Sequence, residues 1–216
     1  MSSKQIENEH AVASLVSITP DAEKIMAYCA RVSSPENQQK QEFEGLLKYC
    51  IRNEHWSVFE QANMCIEINT SRAISAQLLR HRSFSFQEFS QRYAKSTDMI
   101  LYGGRRQDTK NRQQSIDDMA QDTKDWFADA QYDVWKLAFA KYEEALAKGI
   151  AKECARFLLP MGTATCLYMN GTIRSWIHYI QLRTGHGTQK EHMDIANMIK
   201  QIFVQQLPNV AKAMGW

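Results

Sequence analysis

The chain has 216 residues, 44% hydrophobic and 23% charged, enough to bury roughly 70% of its unfolded surface around one core. Its 26 Lys and Arg against 24 Asp and Glu leave a net charge of +2, too little bulk field for a dedicated nucleic-acid binder, so phosphate recognition has to be local. Five scattered cysteines without a Cys-x-x-Cys pair fit a reducing compartment better than a disulfide framework. With no basic leader over Met1 to Thr19 and no stretch near the ~20 apolar residues of a membrane span, a soluble cytoplasmic protein is expected.

In chain order, the apolar run Val12 to Ile18 predicts a strand, and Asp21 is placed to cap a helix reaching about Arg31. Pro35 opens a second predicted helix from Glu36 to about Asn53, with Phe43, Leu46, Leu47, Cys50 and Ile51 at helical spacing. Met64, Ile66 and Ile68 alternate with Asn63, Glu67 and Asn69, the period of a strand with one buried face. Thr70 or Ser71 then caps a helix carrying Ile74 and Leu78, which delivers Gln77, Arg80 and His81 to one face. Beyond it Phe84, Phe86 and Glu88 alternate with Ser83, Ser85 and Gln87, so the chain continues extended. Tyr102 to Ser115, with Gly103-Gly104 and four basic residues, reads as a mobile surface loop.

A long helix is expected from about Asp122 to Lys148, its inner stripe passing through Phe127, Ala130, Val134, Leu137, Ala138, Lys141 and Ala145, with Gly149 ending it. Ile150 to Leu159 predicts a short helix stopped by Pro160, and Thr163 to Met169 a strand. Thr172 caps a helix to about Arg183. The ~100° step per residue puts Arg174, His178 and Gln181 on one edge of it and Arg183 near the other, with Trp176, Ile177 and Ile180 between. One helix can thus present polar groups to two ligands. Gln189 to Gln206 closes the fold as an amphipathic helix with Ile195, Ile199, Ile202 and Phe203 inward. No repeat, low-complexity tract or linker interrupts the chain. The simplest architecture is a single α+β domain over residues 1–216, a mostly antiparallel sheet flanked by helices, one of them long and in the second half.

The densest chemistry lies between Arg80 and Arg92, where three arginines, a histidine, a carboxylate and several hydroxyls are interleaved with three phenylalanines. That combination suits a pocket for a phosphorylated ligand with a flat ring. Arg80, Arg82 and Arg92 offer forked donors for phosphate oxygens, Ser90 a hydroxyl, and Glu88 an acceptor for a ribose hydroxyl. Arginines this close repel one another unless anions neutralise them. The bland alternative is a helix end whose cations complement its dipole, followed by a half-exposed strand. Gly103-Gly104 and Gly185-His186-Gly187 lack the strand-to-helix context of a phosphate loop, and no Cys or His spacing resembles a metal site, so no metal is expected.

Arg80-His81-Arg82, seven residues and then Ser90 resembles the signature of the flavin-dependent thymidylate synthases, with Gln77, Glu88 and Arg92 also matching. Ala30-Arg31-Val32-Ser33, His55 to Glu60, Ala155 to Pro160, Thr172 to His178 and Leu182-Arg183 are similar to further segments of that family in the same order. The resemblance implies methylation of deoxyuridine monophosphate (dUMP) with methylenetetrahydrofolate as carbon donor, flavin adenine dinucleotide (FAD) as hydride carrier and NADPH as reductant. It implies an FAD site lined by Ser57, Arg80, His81, Arg82, Glu88, Thr172, Ile173, Arg174 and His178. It implies a dUMP site lined by Gln77, Arg80, Glu88, Ser90, Gln91, Arg92, Arg156 and Arg183, with sites shared between the subunits of a homotetramer. Val58 and Gln61 stand where many members have proline and histidine. Gln91 stands where several have glycine, which implies use of a backbone group there.

No cysteine has an activating base beside it in sequence, and a serine hydroxyl such as that of Ser90 holds almost no alkoxide without one, so activation of the uracil is expected to be electrostatic. By resemblance Arg183 is the catalytic candidate, a cation at the imide edge of the ring. Two other classes compete. A single-strand nucleic-acid binder would use arginines such as Arg72, Arg105 and Arg112 with Phe84, Phe86 and Trp56 as stacking surfaces. A structural subunit would pair its arginines with Glu42, Glu44, Glu60 and Glu88.

Overall fold

Four antiparallel strands form the sheet, in the order β1 (Val12–Ile18), β2 (Asn63–Ser71), β6 (Ala164–Thr172) and β3 (Ser85–Glu88), with a separate two-residue ladder of β4 (Arg106–Gln107) and β5 (Ser115–Ile116). The computed structural model describes residues 11–216. Those parts of the domain and leader expectations that fall on residues 1–10 lie outside the described residues. The period of two is realised in β2 and β6: Met64, Ile66, Ile68, Leu167 and Met169 are fully buried on one face. The helices α1 (Ala22–Ala30), α2 (Glu44–Arg52), α3 (Arg72–Leu78), α6 (Ile173–Arg183), α7 (Lys190–Gln206) and α8 (Pro208–Ala213) contribute to one hydrophobic core with the sheet. The long α4 (Gln121–Ala147) and short α5 (Lys152–Ala155) build a small second cluster around Tyr142, Ala145 and Ala155.

Two strands run straight into helices, and both junctions are capped as their residue types require. The Ser71 hydroxyl accepts from the backbone N–H of Ile74 at 3.4 Å, and the Thr172 hydroxyl accepts from that of Ser175 at 3.2 Å. Because β2 and β6 are antiparallel, with Ser71 opposite Ala164 and Thr172 opposite Asn63, α3 and α6 start at opposite ends of the same ladder. The Trp176 indole N–H donates to the Met64 carbonyl at 2.9 Å and locks α6 onto the sheet. Phe84 lies 4.7 Å, centroid to centroid, from Trp176, over Gly171, where a Cβ would come within 2.5 Å of the Phe84 ring. Close approach at that point requires glycine.

Several expectations need correction. Asp21 occupies the position before α1 but with φ 49°, and its side chain makes no capping bond. The helix expected from Glu36 is broken: a 3₁₀ turn at Pro35–Asn37 is followed by irregular chain until Glu44. Arg31 explains the break, because its guanidinium donates to the carbonyls of Lys40, at 2.7 Å, and Glu42, holding a polar stretch that has no apolar face to bury. The inner stripe of α4 is not inner within this chain, since Val134 and Leu137 are 59% and 65% exposed and only the C-terminal end meets the second cluster. Nor is the segment from Tyr102 to Ser115 a loose loop. Gln131 of α4 makes both backbone bonds of Tyr102, at 3.1 and 2.8 Å, Arg105 pairs with Glu191 at 2.6 Å, and β4 and β5 close its far end. Unforeseen α8 is held by Glu23, whose carboxylate accepts from the Val210 N–H at 2.8 Å and the Asn209 amide at 2.7 Å.

Candidate active site

The ends of α3 and α6 converge, and there Arg183 Nε donates to His81 Nε2 at 2.9 Å. A guanidinium can only donate, so that imidazole nitrogen carries a lone pair and His81 is neutral. Burial, then the Arg183 charge and His178, push the His81 pKa down to about 4, in agreement with this geometry. The His81 ring is packed edge-on to Tyr179 at 4.9 Å and lies near Phe84 and His192.

Gln77 joins this cluster through side chains that the sequence reading left out. Its amide donates to Gln189 Oε1 at 2.6 Å and its Oε1 lies 3.3 Å from His192 Nδ1. His192 Nε2 is 3.2 Å from the Tyr179 hydroxyl, and Gln189 donates to Glu191 at 2.9 Å. His192 is completely buried, and burial, Arg183 and His81 lower its pKa to about 3. Burial raises the pKa of the Tyr179 phenol, which therefore stays protonated.

Along the other edge of α6 runs a cleft of about 520 Å³ lined by Trp56, Glu60, Ser83, Arg174, Ser175 and His178, among others. The helical step anticipated from the sequence places Arg174, His178 and Gln181 on it together, while Trp176, Ile177 and Ile180 fill the core behind. Arg174 is paired with Glu60. An indole wall, hydroxyls and a guanidinium suit a flat ring with attached phosphates, so the donor set fits a flavin nucleotide. Ser57 is exposed on the 3₁₀ turn Trp56–Glu60 beside it. The Ile173 side chain is fully buried in the core, so that this position has only backbone to offer a ligand.

Glu88 sits elsewhere on the sheet edge, its Oε1 accepting from Ser75 at 2.6 Å, Thr165 at 3.0 Å and Arg72 at 2.8 Å. Three donors thus converge on one carboxylate oxygen, two hydroxyls and a guanidinium. Arg92 and Arg156 meet at Glu153: Arg92 Nη2 pairs with its carboxylate at 3.0 Å and Arg156 Nε donates to its carbonyl at 3.2 Å. The Ser90 hydroxyl accepts from the Arg92 N–H at 3.3 Å, whereas the Gln91 side chain turns inward and donates to Ser96 at 2.9 Å. Arg80 and Arg82 are exposed, and among the described residues their side chains make no hydrogen bond. Phe84, a stacking surface in the competing nucleic-acid reading, is instead buried against Trp176 and Tyr179. Ser75, Thr165, Tyr179, Gln189 and His192 carried no candidate role in the sequence, and Arg72 only in the nucleic-acid alternative. His192 alone left a trace, at the start of the inward series His192, Ile195, Ala196 and Ile199.

Among the described residues no group of His, Cys, Asp and Glu is arranged to hold a metal, and no helix is long and apolar enough to cross a membrane. The family model for the thymidylate synthase complementing proteins matches residues 14–209. A probable flavin-dependent thymidylate synthase of Paramecium bursaria Chlorella virus 1 is 53% identical over 213 residues, covering 94% of this chain and 99% of its own. The flavin-dependent thymidylate synthase of Synechocystis sp. is 56% identical over 194 residues, covering 90% of each. In three dimensions, a UMP/dUMP methylase, PolB of Streptomyces cacaoi, bound with 5-Br dUMP, superposes with a TM-score of 0.82 over 96% of both chains at 24% identity, which shows the shared fold. The chain belongs to the flavin-dependent thymidylate synthase family.

Proposed function

We propose that this chain converts dUMP to dTMP with methylenetetrahydrofolate as carbon donor, FAD as hydride carrier and NADPH as reductant, and does so without a protein nucleophile. The observation that carries the reading is Arg183, a guanidinium fixed by neutral His81 beside Gln77, on the opposite edge of α6 from the cleft of Trp56, Arg174 and His178. A cation held in place by a neutral partner keeps its full charge for a ligand. In this role Arg183 faces the uracil imide and stabilises the negative charge that builds as carbon 5 attacks the folate methylene. Gln77 offers amide donor and acceptor to the same nucleotide, and Arg80, Glu88, Ser90, the Gln91 backbone, Arg92 and Arg156 bind its sugar and phosphate.

The FAD would be held by Trp56, Ser57, Arg174 and His178 with His81, Arg82, Glu88, Thr172 and the Ile173 backbone. When bound, a reduced flavin supplies the hydride that completes the methyl group. Burial raises the thiol pKa of Cys50, Cys65 and Cys166, the reverse of what a nucleophile needs, which supports electrostatic activation. The exposed apolar residues of α4, Trp126, Val134 and Leu137 among them, support a homotetramer whose sites are completed across subunits. Composition supports work in the cytoplasm on small molecules, without nucleic acid or membrane.

The experiment is the visible spectrum of the purified protein with tritium release from dUMP labelled at carbon 5. A yellow protein that releases tritium only with folate and reductant is expected. A preparation that stays colourless after FAD is added, or that releases no tritium, overturns the reading.

A further inference from the structure

The Arg105–Glu191 pair lies at one end of a line of side chains, buried at Glu191, His192 and Tyr179, whose hydrogen positions follow by elimination. The Glu191 carboxylate accepts from Arg105 at 2.6 Å on one oxygen, and its other oxygen faces the Gln189 amide at 2.9 Å. A carboxylate only accepts, so Gln189 must present its NH₂ there and its carbonyl oxygen to Gln77. Gln77 must then answer with its own NH₂, at 2.6 Å, and turn its oxygen to His192. His192 Nδ1 has to carry the proton, and Nε2 is left to accept from the Tyr179 hydroxyl. Every donor in the line points toward Glu191, and reversing it would set the Gln189 carbonyl oxygen against the Glu191 carboxylate.

We propose that His192 is a positioning residue that, with Gln189 and Glu191, sets which way the Gln77 amide faces its nucleotide. A fully buried histidine whose two nitrogens are both engaged is expensive to maintain in a core position where leucine would pack. Its ring also rests edge-on against His81, at 6.0 Å, so the same side chain supports the partner of Arg183. Held in this way, Gln77 has one N–H and one carbonyl lone pair left, both of defined direction. Depression of the His192 pKa to about 3 agrees with a neutral ring.

The proposal rests on the reading of Gln77 as a dUMP ligand, and the two can fail separately. Calorimetric titration of dUMP into the flavin-loaded protein comes first: no binding to the native chain sinks that reading and this proposal with it. Given binding, His192→Phe, which keeps the ring volume, should weaken dUMP about 10-fold and raise KM more than it lowers kcat. His192→Asn, which retains a donor near the Nδ1 position, should restore most of the affinity. In a Gln77→Leu background His192→Phe should cost nothing further, because its route has been removed. Additive losses in that cycle overturn the proposal. Should the Phe variant fail to fold, imidazole nitrogen NMR of the native protein decides: a neutral Nδ1–H tautomer is expected, and the Nε2–H form would reverse the line and refute it.

Discussion

Arg183 and His81, 102 residues apart in sequence, are joined by a 2.9 Å hydrogen bond in which the arginine donates and the histidine, held neutral by burial and by that same charge, accepts. The pair is a fixed cation with a polar but uncharged support. Its consequence is that charge and orientation can be tested separately.

Arg183→Ala should lower turnover about 10²- to 10³-fold, the usual cost of removing one preorganised charge, while leaving flavin absorbance in place. His81→Asn, which leaves the cation but loosens it, should cost less. Steady-state kinetics with flavin content measured on the same samples checks both, and an Arg183→Ala enzyme with unchanged kcat removes this residue from the chemistry.

Stability should fall as pH drops from about 6.5, since below that value the unfolded chain protonates histidines that the folded chain keeps neutral down to about 4 at His81 and about 3 at His192. Above pH 6.5 neither contributes to the slope. His192 alone can supply up to ~1.4 kcal/mol per pH unit between these limits, and the half-buried His81 less. Urea midpoints between pH 7.5 and 5 measure this, and His192→Asn should flatten the curve.

Arg72 and Glu88, 24% and 17% exposed, are a largely shielded pair. Arg72→Ala leaves the charged carboxylate with two hydroxyl partners and no countercharge, and should cost about 2–3 kcal/mol. Arg72→Ala with Glu88→Gln should be less destabilised than Arg72→Ala alone, a coupling visible in thermal or urea unfolding.

Gly171→Ala would drive a methyl group to within 2.5 Å of the Phe84 ring. Displacing Phe84 from Trp176 should cost about 1–3 kcal/mol and reduce flavin retention, because the turn carrying Ser83 moves with it. Phe84→Leu in the same chain should recover part of the loss in melting temperature.

Replacing all five cysteines, with alanine at buried Cys50, should leave dTMP formation measurable. One cysteine whose loss alone abolishes activity in a folded, yellow protein would restore covalent catalysis to consideration.

Legibility differed between parts of the chain for identifiable reasons. Strands β2 and β6, the cap Thr172, the pair Thr70 or Ser71 from which Ser71 caps α3, and the face of Arg174, His178 and Gln181 were readable because a period of two or of 3.6 is a local geometric rule. The helix expected over Glu36 to Asn53 failed where an arginine captured backbone carbonyls from outside the helix. The stripe of α4 has the right helix but the wrong environment, because apolar periodicity says that a face seeks cover and not whether cover lies in the same chain.

By itself the sequence determined the α+β pattern, the local faces of the helices and, through the Arg80 to Ser90 signature, the family. Those are consequences of spacing along one chain. Tertiary structure decided that Phe84 is core, that Gln91 turns inward, that Arg183 finds His81 and that Gln77 is gripped by His192 and Gln189. Gln91 turns to Ser96 nearby, but the others depend on partners as far as 115 residues away in sequence, and no local period encodes such a meeting.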